Sequence, residues 1–375
     1  MIRFLIVLTL LVSFLLTSLK SVELVNTKSL NLDFYSNINF YTKNIQQKNY
    51  QNTRKDLDSN VSFVFKTPLE ANAFGDNFII AVLDLGIKND LLNNQSTALY
   101  NKYSYIQLEN SSFGLLSAGI IPSIINQYAI SNVNKTNINL LDAGYLYNSL
   151  YYNADAYNTF VAEKAVSYVS KYTNWLVAVQ YSSSNDKEKA DNLTTLDILD
   201  VKLNYSLATL IKYFNDDLSV SFAYQRNHIL YNQSKDYLAN SSFKNNNFLA
   251  TFNASYEKLY VASTIGYYNN LHLIGINYIG FATYLEYKLT KVVPYIGYNL
   301  LILQSYTNSF FKNLYNQNSS VDFSNIIIGL KYNINNNALL GFEYRYDLRA
   351  KNIAKNSLLQ NKKNNSGNIY FKLSF

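Results

Sequence analysis

Residues 367–375, GNIYFKLSF, alternate strictly between apolar and polar side chains up to the last residue of the sequence. The apolar members share one face and the intervening residues share the other: Ile369, Phe371, Leu373 and Phe375 against Asn368, Tyr370, Lys372 and Ser374. A period of two is the pattern of a β-strand with two different surroundings. The chain therefore ends in a predicted strand with one apolar and one wet face.

The same alternation recurs along the whole chain. Clear examples are LNLDFYSNINF (30–40), LDVKLNYSL (199–207), SNIIIGLKYNI (324–334) and LLGFEYRYDLR (339–349). We identify about sixteen such segments, beginning near residues 28, 58, 77, 98, 113, 161, 174, 194, 218, 246, 259, 272, 292, 321, 338 and 366. Short polar turns alternate with longer Asn/Ser/Lys-rich connections, the longer ones including 43–57, 185–193, 231–245, 307–320 and 350–365. This spacing is typical of a membrane β-barrel with tight turns at one end and long loops at the other.

The polar face of one segment carries full charges, namely Glu343, Arg345, Asp347 and Arg349. Four charges facing a dry protein core would be very costly, whereas they cost little on the wall of a water-filled lumen. A sheet in lipid must also close, because an open edge would leave backbone groups without partners. We therefore predict an all-β fold, a transmembrane antiparallel β-barrel of about sixteen strands, in which the last strand pairs with the first.

The N-terminus has the features of an export signal. A short basic start is followed by the apolar run Phe4–Thr17, which is of signal-peptide length and short for a transmembrane helix. We predict a signal peptide over residues 1–21 and a barrel domain over residues 22–375, with an uncleaved anchor as the alternative. Removal of residues 1–21 leaves 30 basic and 25 acidic residues, a mild balance without the basic runs of a nucleic-acid-binding protein.

Composition also limits the chemistry. The chain has no cysteine and only two histidines, His228 and His272, which excludes thiolate zinc sites and cysteine nucleophiles. We predict no metal and no cofactor. An enzyme would need one of these histidines beside an oriented nucleophile, and we interpret both as surface or interfacial residues, His228 at the base of a loop. We therefore do not expect an enzyme.

Several stretches are similar to those of one family. Asp33-Phe34-Tyr35, KYSYIQLENSSFGLLSAG (102–119), WLVAVQYS (175–182) and the terminal Phe375 resemble the Gram-negative general porins, the trimeric sixteen-stranded diffusion channels of the outer membrane. The similarity extends over the whole mature chain. Two features depart from the family pattern: Ile120 stands where an arginine is usual, and residues 134–160 lack the usual loop motif.

The resemblance implies a site and partners. Residues 122–160 would be the long third loop that folds into the barrel, with Asp142 and Asp155 at the constriction, although both could be solvated loop carboxylates. Lys102 would be a cation of the pore wall. Phe375 would be the signal read by the barrel-assembly machinery. The implied protein is a homotrimer in outer-membrane lipid, and it passes small hydrophilic solutes by passive diffusion.

Two other functions remain open at the level of sequence. Tyrosines within residues 145–157 could form an aromatic surface for sugar rings, which would make the protein a sugar-selective porin. A barrel plugged by its loops could instead serve as a structural or adhesive component of the envelope.

Overall fold

The structure is a computed structural model. It describes residues 22–26, 31–47, 50–72, 75–90, 98–130, 161–185, 200–232, 242–270, 276–306, 321–335, 337–348 and 365–374.

Within these ranges the chain forms seventeen β-strands and one short helix. They are β1 (Val22–Asn26), β2 (Asn31–Gln47), β3 (Tyr50–Asn72), β4 (Gly75–Asp90), β5 (Ala98–Asn110), β6 (Gly114–Pro122), α1 (Ile124–Tyr128), β7 (Val161–Tyr172), β8 (Trp175–Asn185), β9 (Asp200–Phe214), β10 (Leu218–Asn232), β11 (Ser242–Tyr256), β12 (Leu259–Asn269), β13 (Ile276–Tyr287), β14 (Val292–Tyr306), β15 (Val321–Asn333), β16 (Ala338–Asp347) and β17 (Ser366–Ser374). In the part of the chain that the structure describes, no helix has the length and apolar character needed to cross a membrane.

The strands β2 to β17 form a ring of antiparallel pairs. Each strand pairs with the next in sequence. The last strand returns to the first, with Ser374 opposite Asn37 and Ser366 opposite Ile45. The predicted barrel of sixteen antiparallel strands is therefore confirmed, and so is the role of the C-terminal segment as the closing strand.

The short strand β1 was not predicted as a separate element. It pairs with β2 on the same edge as β17, with Val22 opposite Phe34. Since β17 leaves this edge at Asn37, β1 continues the row of pairs beyond the end of β17. The start of β1 and the end of β17 therefore meet along β2, and together they cover its edge.

The two ends of the barrel differ in the length of their connections. The short-turn rim holds the connections of two to four residues that follow β3, β5, β7, β9, β11, β13 and β15. The long-loop rim holds the connections that follow the even-numbered strands, and residues 123–160 are the third of these. The predicted alternation is confirmed, with one exception. The long connection predicted over 43–57 is wrong, because β2 and β3 pair without a break from Asn31 opposite Lys66 to Gln47 opposite Tyr50.

The faces of β9 also differ from the simple alternation in its sequence. Alternation in the sequence predicts Leu203 and Leu207 on one face, but Leu203 is 2% exposed and Leu207 is 37% exposed. The physical reason is an extra residue in β9, because His228 of β10 pairs with Tyr205 and the next residue, Ile229, pairs with Leu203. A bulge of this kind reverses the facing of every residue beyond it.

Candidate functional site

The outer face of the barrel is apolar and exposed. In β16, Phe342 is 50% exposed while its neighbour Glu343 is fully buried, and the same alternation runs through the strand. Exposed apolar side chains also lie on the outer face of other strands whose side chains the structure describes, for example Ile106, Val177, Phe222, Ile265, Ile328 and Ile369. A monomeric protein in water rarely exposes so large an apolar surface. A barrel in lipid needs one.

Aromatic residues mark both edges of this apolar face. Near the short-turn rim the exposed rings include Tyr172, Trp175, Tyr256, Tyr287 and Tyr332, and nearer the long-loop rim they include Tyr181, Tyr267, Tyr344 and Tyr346. Trp175 contacts Tyr213 edge-on, with ring centroids 5.2 Å apart. Rings with an apolar body and a polar tip are favoured where lipid tails meet headgroups.

The inner face of β16 carries charged residues. In β16, Glu343 and Asp347 are buried from solvent on the side opposite the exposed Phe342 and Tyr346, and Arg345 lies on the same inner side. These positions agree with the alternation in the sequence. Arg349, the fourth residue of this predicted group, lies outside the described residues.

Lys331 lies at the centre of a charged cluster on the inner face. Its ammonium group donates to the Tyr284 hydroxyl at 2.7 Å and forms an ion pair with Glu286 at 3.3 Å. The same group lies 4.7 Å from the centroid of the Tyr295 ring. Tyr284 in turn donates to Glu286 at 2.7 Å. These residues come from β13, β14 and β15, so only the pairing of the strands brings them together.

A second ion pair lies on another part of the inner face. Lys66 of β3 donates to Glu109 of β5 at 2.9 Å, and its ammonium group lies 4.0 Å from the centroid of the Phe78 ring. Both pairs lie closer to the short-turn rim than to the long-loop rim. Sequence reasoning did not single out these residues, although alternation places each of them on the polar face of its strand.

The side chains described on the inner face of β10 and β11 are uncharged. Asn245 Oδ1 accepts hydrogen bonds from Asn247 at 2.9 Å and from Asn227 at 3.0 Å. Gln225 continues this amide band, because it accepts from Asn247 and donates to Ser206. A wall of amides binds water and polar solutes without adding net charge.

Helix α1 begins the third long connection and lies against the inner wall. The backbone N–H of Ile124 donates to Gln180 Oε1 of β8 at 3.0 Å. At the other end of the helix, Lys212 Nζ of β9 donates to the carbonyl oxygen of Tyr128 at 3.0 Å. Gln180 and Lys212 lie on the inner face, since Val179 and Ile211 beside them are exposed outside. The chain therefore turns into the barrel directly after β6 over residues 123–130, which agrees with the start of the predicted inward loop, whereas residues 131–160 lie outside the described residues.

A bulge in the pairing of β6 with β7 lies directly before this inward turn. Gly119 has φ +135°, and a Cβ there would lie 2.3 Å from the carbonyl oxygen of Ser104. The register of the two strands shifts between Gly119 and Ile121. Bulges bend a strand and end regular pairing, so β6 leaves the barrel wall at Pro122.

Comparison with known proteins gives similarity at the level of structure. No family model matches the sequence, and no curated protein matches it. Similar solved structures include OmpF of Salmonella typhi in complex with daunomycin, 14% identical, with a TM-score of 0.70 over 94% of this chain and 99% of that one. The anion-selective porin from Comamonas acidovorans is 11% identical, with a TM-score of 0.63 over 92% of this chain and 100% of that one. The trimer form of OmpT from Vibrio cholerae is 13% identical, with a TM-score of 0.61 and the same coverage.

The chain has the porin fold. The resemblance seen in the sequence is thereby confirmed for the fold, over nearly the whole chain.

The porin fold does not assign a face to Lys102. This residue lies at a bulge, because Asp84 of β4 pairs with Tyr103 while the next residue, Leu85, pairs with Asn101. Its ammonium group lies 5.7 Å from the centroid of the Tyr103 ring. A role for Lys102 in the pore wall therefore stays a prediction.

Three other residues of the predicted porin site lie outside the described residues. Asp142 and Asp155 fall in 131–160, and Phe375 follows the end of β17. Their roles in constriction and assembly stay predictions.

The predicted position of His228 at the base of a loop is wrong. His228 lies within β10 and not at the base of a loop, on the outer face opposite Tyr205. Its Nδ1 is 2.9 Å from the Asn204 amide nitrogen, and its ring centroid is 5.2 Å from that of Tyr205. His272 lies outside the described residues. Across the described ranges, no group of three or more His, Asp or Glu residues could hold a metal ion.

Proposed function

We propose that this protein is an outer-membrane porin of a Gram-negative bacterium, a water-filled channel for passive diffusion of small hydrophilic solutes and ions. One observation carries the proposal. A closed ring of sixteen strands has an apolar outer face and a polar inner face, and the segment after β6 folds against that inner face. An apolar exterior around a polar interior suits a channel through lipid.

Passage through such a channel needs no chemistry on the solute. Cross-section and wall charge at the narrowest point decide what passes. On the inner face, Lys66 and Lys331 form ion pairs with carboxylates, and Lys212 donates to a backbone carbonyl oxygen. Neutral amides line the same face of β10 and β11. Paired charges and amides attract neither sign of ion strongly, so selectivity depends on unpaired charges near the constriction. We place Asp142, Asp155 and Lys102 there, with Glu343, Arg345, Asp347 and Arg349 on the wall.

The same proposal includes the oligomeric state of the protein and its insertion into the membrane. We infer a homotrimer surrounded by outer-membrane lipid, inserted by the barrel-assembly machinery with Phe375 as its signal, after removal of residues 1–21. The trimer form of the Vibrio cholerae protein has the same fold and supports this state.

Single-channel recording of the refolded full-length protein in planar lipid bilayers tests the function. We expect stepwise, long-lived conductance that rises in proportion to salt concentration, as in a water-filled pore. Correctly folded protein that gives no conductance would contradict the channel and favour a plugged structural barrel. Block that saturates with an added sugar would instead indicate a sugar-selective porin.

A further inference from the structure

The outer face of β10 and β11 changes character toward the long-loop rim. Directly opposite residues follow in order along the two strands: Phe222 with Ala250, Tyr224 with Phe248, Arg226 with Asn246, and His228 with Lys244. The face therefore passes from apolar, through a pair of aromatic rings with centroids 4.8 Å apart, to a group of three basic side chains. We call Arg226, His228 and Lys244 the outer basic cluster.

The height of this cluster matches the edge of a bilayer core. From Leu218 at the short-turn rim to Arg226, the strand extends about 26 Å at roughly 3.3 Å per residue. At a strand tilt near 40° this is a height of about 20 Å, close to that of the apolar belt of a membrane barrel. The cluster thus lies where lipid tails give way to headgroups, in the leaflet at the long-loop rim.

The charged groups of the cluster form no ion pair with any carboxylate that the structure describes. In the described part of the chain, no ion pair involves Arg226, and its Nε is buried without a hydrogen-bond partner. Lys244 is exposed and diagonal to Arg226 across the strand pair, about 7–8 Å away. His228 Nδ1 accepts from the Asn204 amide, which leaves Nε2 as the N–H donor of the neutral ring. Donors and charge so placed suit a phosphate group.

Uncharged amide side chains lie at the height of the cluster on the neighbouring strands β11, β12 and β13. Asn246 pairs with Asn269, which pairs with Asn277, and the side chains of the last two are hydrogen-bonded at 2.8 Å. Among the side chains described at this level of β10 to β13, the cations lie on β10 and β11. A phosphate headgroup on this part of the outer face therefore meets positive charge at the outer basic cluster.

An apolar groove lies directly below the cluster. It has a volume of about 720 Å³ and is lined by outward side chains of β8 to β13, among them Ile211, Phe222, Tyr224, Phe248 and Ile265. The small side chains Thr209 and Ala250 leave space between the larger ones. The Tyr224 hydroxyl donates to Asn246 at 2.9 Å, so the groove is continuous with the polar level above it. An acyl chain fits such a surface.

We propose that the outer basic cluster binds the phosphate of a phosphorylated lipid from the leaflet at the long-loop rim, with an acyl chain of that lipid in the groove. The site rests on the proposed membrane location, but it is separate from the channel. It would hold one lipid against β10 and β11 while the neighbouring lipids exchange.

Native mass spectrometry of the refolded full chain in a neutral detergent tests this site. The probes are bisphosphorylated lipid A, the same lipid after removal of its phosphates, and inorganic phosphate alone. We expect the phosphorylated lipid to bind one per chain, and Arg226→Gln with Lys244→Gln to weaken it about tenfold or more. The matched control, Lys258→Gln with Lys291→Gln, removes two exposed cations at the short-turn rim and should bind as the wild type does.

A second pair of variants tests whether the groove contributes to lipid binding. Phe248 lines the groove, whereas Phe252 is exposed on the same outer face of β11 but does not line it. Phe248→Ser should weaken lipid binding, and Phe252→Ser should not. If the double basic variant fails to refold, Lys244→Gln, at an exposed side chain, must still reduce binding of the phosphorylated lipid relative to Lys258→Gln.

Three results would overturn the site. They are equal binding by the basic variants and the wild type, equal binding of the lipid with and without its phosphates, and full displacement of the lipid by inorganic phosphate, which would make this a site for soluble anions. Binding is measured without conductance, so a protein that binds the lipid but conducts no ions would refute the channel and leave the site standing.

Discussion

Two tyrosines of the inner face pack against glycines directly opposite them on adjacent strands. Tyr295 of β14 faces Gly329 of β15, and Tyr370 of β17 faces Gly341 of β16. A Cβ on either glycine would lie 2.0 Å from the ring carbon Cζ of its tyrosine. Glycine is therefore needed at both positions for the rings to lie against the wall.

We predict that Gly329→Ala destabilises the barrel by about 1–3 kcal/mol, because the added methyl group must displace a packed ring. The measurement is guanidinium unfolding in detergent, followed by the fluorescence of Trp175, the single tryptophan. Gly367→Ala is the control, since its Cβ would lie 3.8 Å from Tyr344, an ordinary contact. A Gly329→Ala variant as stable as the control would show that the Tyr295 ring moves freely.

Lys331 stabilises Glu286, a carboxylate that is nearly buried. We predict that Lys331→Met lowers the free energy of unfolding by about 1–3 kcal/mol, because the nearly buried Glu286 carboxyl group loses its ion-pair partner. Adding Glu286→Gln to this variant should restore part of the loss, since no uncompensated charge remains. The same unfolding assay measures both. Strictly additive effects of the two substitutions would indicate that the ion pair contributes nothing.

At the scale of the element, the contact between β2 and β17 decides whether the sheet closes. Asn39 and Lys372 are directly opposite on these strands, and the chain has no cysteine of its own. Opposed residues of an antiparallel pair have a Cα separation that a disulfide can bridge.

We predict that Asn39→Cys with Lys372→Cys forms a disulfide in most molecules of the folded protein. After unfolding without reductant, the cross-linked chain should migrate differently on a gel. Asn39→Cys with Phe371→Cys is the control, because the neighbouring residue points to the other face of the sheet. Equal cross-linking in both variants, or none in the first, would contradict closure through this register.

Helix α1 is too short to hold its position by itself, and side chains of the wall hold both of its ends. We predict that Gln180→Leu with Lys212→Met raises the single-channel conductance or its noise, because the inward segment loses its two anchors. The control is Gln180→Leu with Lys171→Met. It also removes one positive charge close to Lys212, but it keeps the hydrogen bond from Lys212 to the carbonyl oxygen of Tyr128. If both double variants conduct alike, the bond from Lys212 does not position the segment.

At the scale of the whole molecule, charge near the constriction should set the ion preference. We predict a mild preference for cations despite the net positive charge of the chain, because the arginines usual in general porins are replaced, as at Ile120. Carboxylates act strongly on a passing ion in a confined and poorly screened space. Asp142→Asn with Asp155→Asn should therefore shift the reversal potential in a salt gradient toward anions. Unchanged selectivity and conductance would show that these residues do not line the pore.

Much of the fold could be predicted from local pattern. Strands predicted to begin near 98, 161, 218, 259, 292, 321, 338 and 366 begin within a residue of those positions. The inner facing of Glu343 and Asp347 also follows from alternation. The prediction succeeds because each strand separates lipid from a polar interior, and this separation repeats at every second residue.

The sequence alone determined the sixteen strands of the barrel, the two faces of most of them and the position of the third long connection, since each depends on residues close together in the chain. The tertiary structure decided what depends on partners. The bulge that turns Leu203 inward exists only relative to β10, and Lys331 meets Glu286 only because β13 and β15 flank β14. The outer basic cluster likewise needs the register that sets Arg226 and His228 beside Lys244. A one-residue shift in pairing reverses the facing of a strand, so no local pattern contains this information.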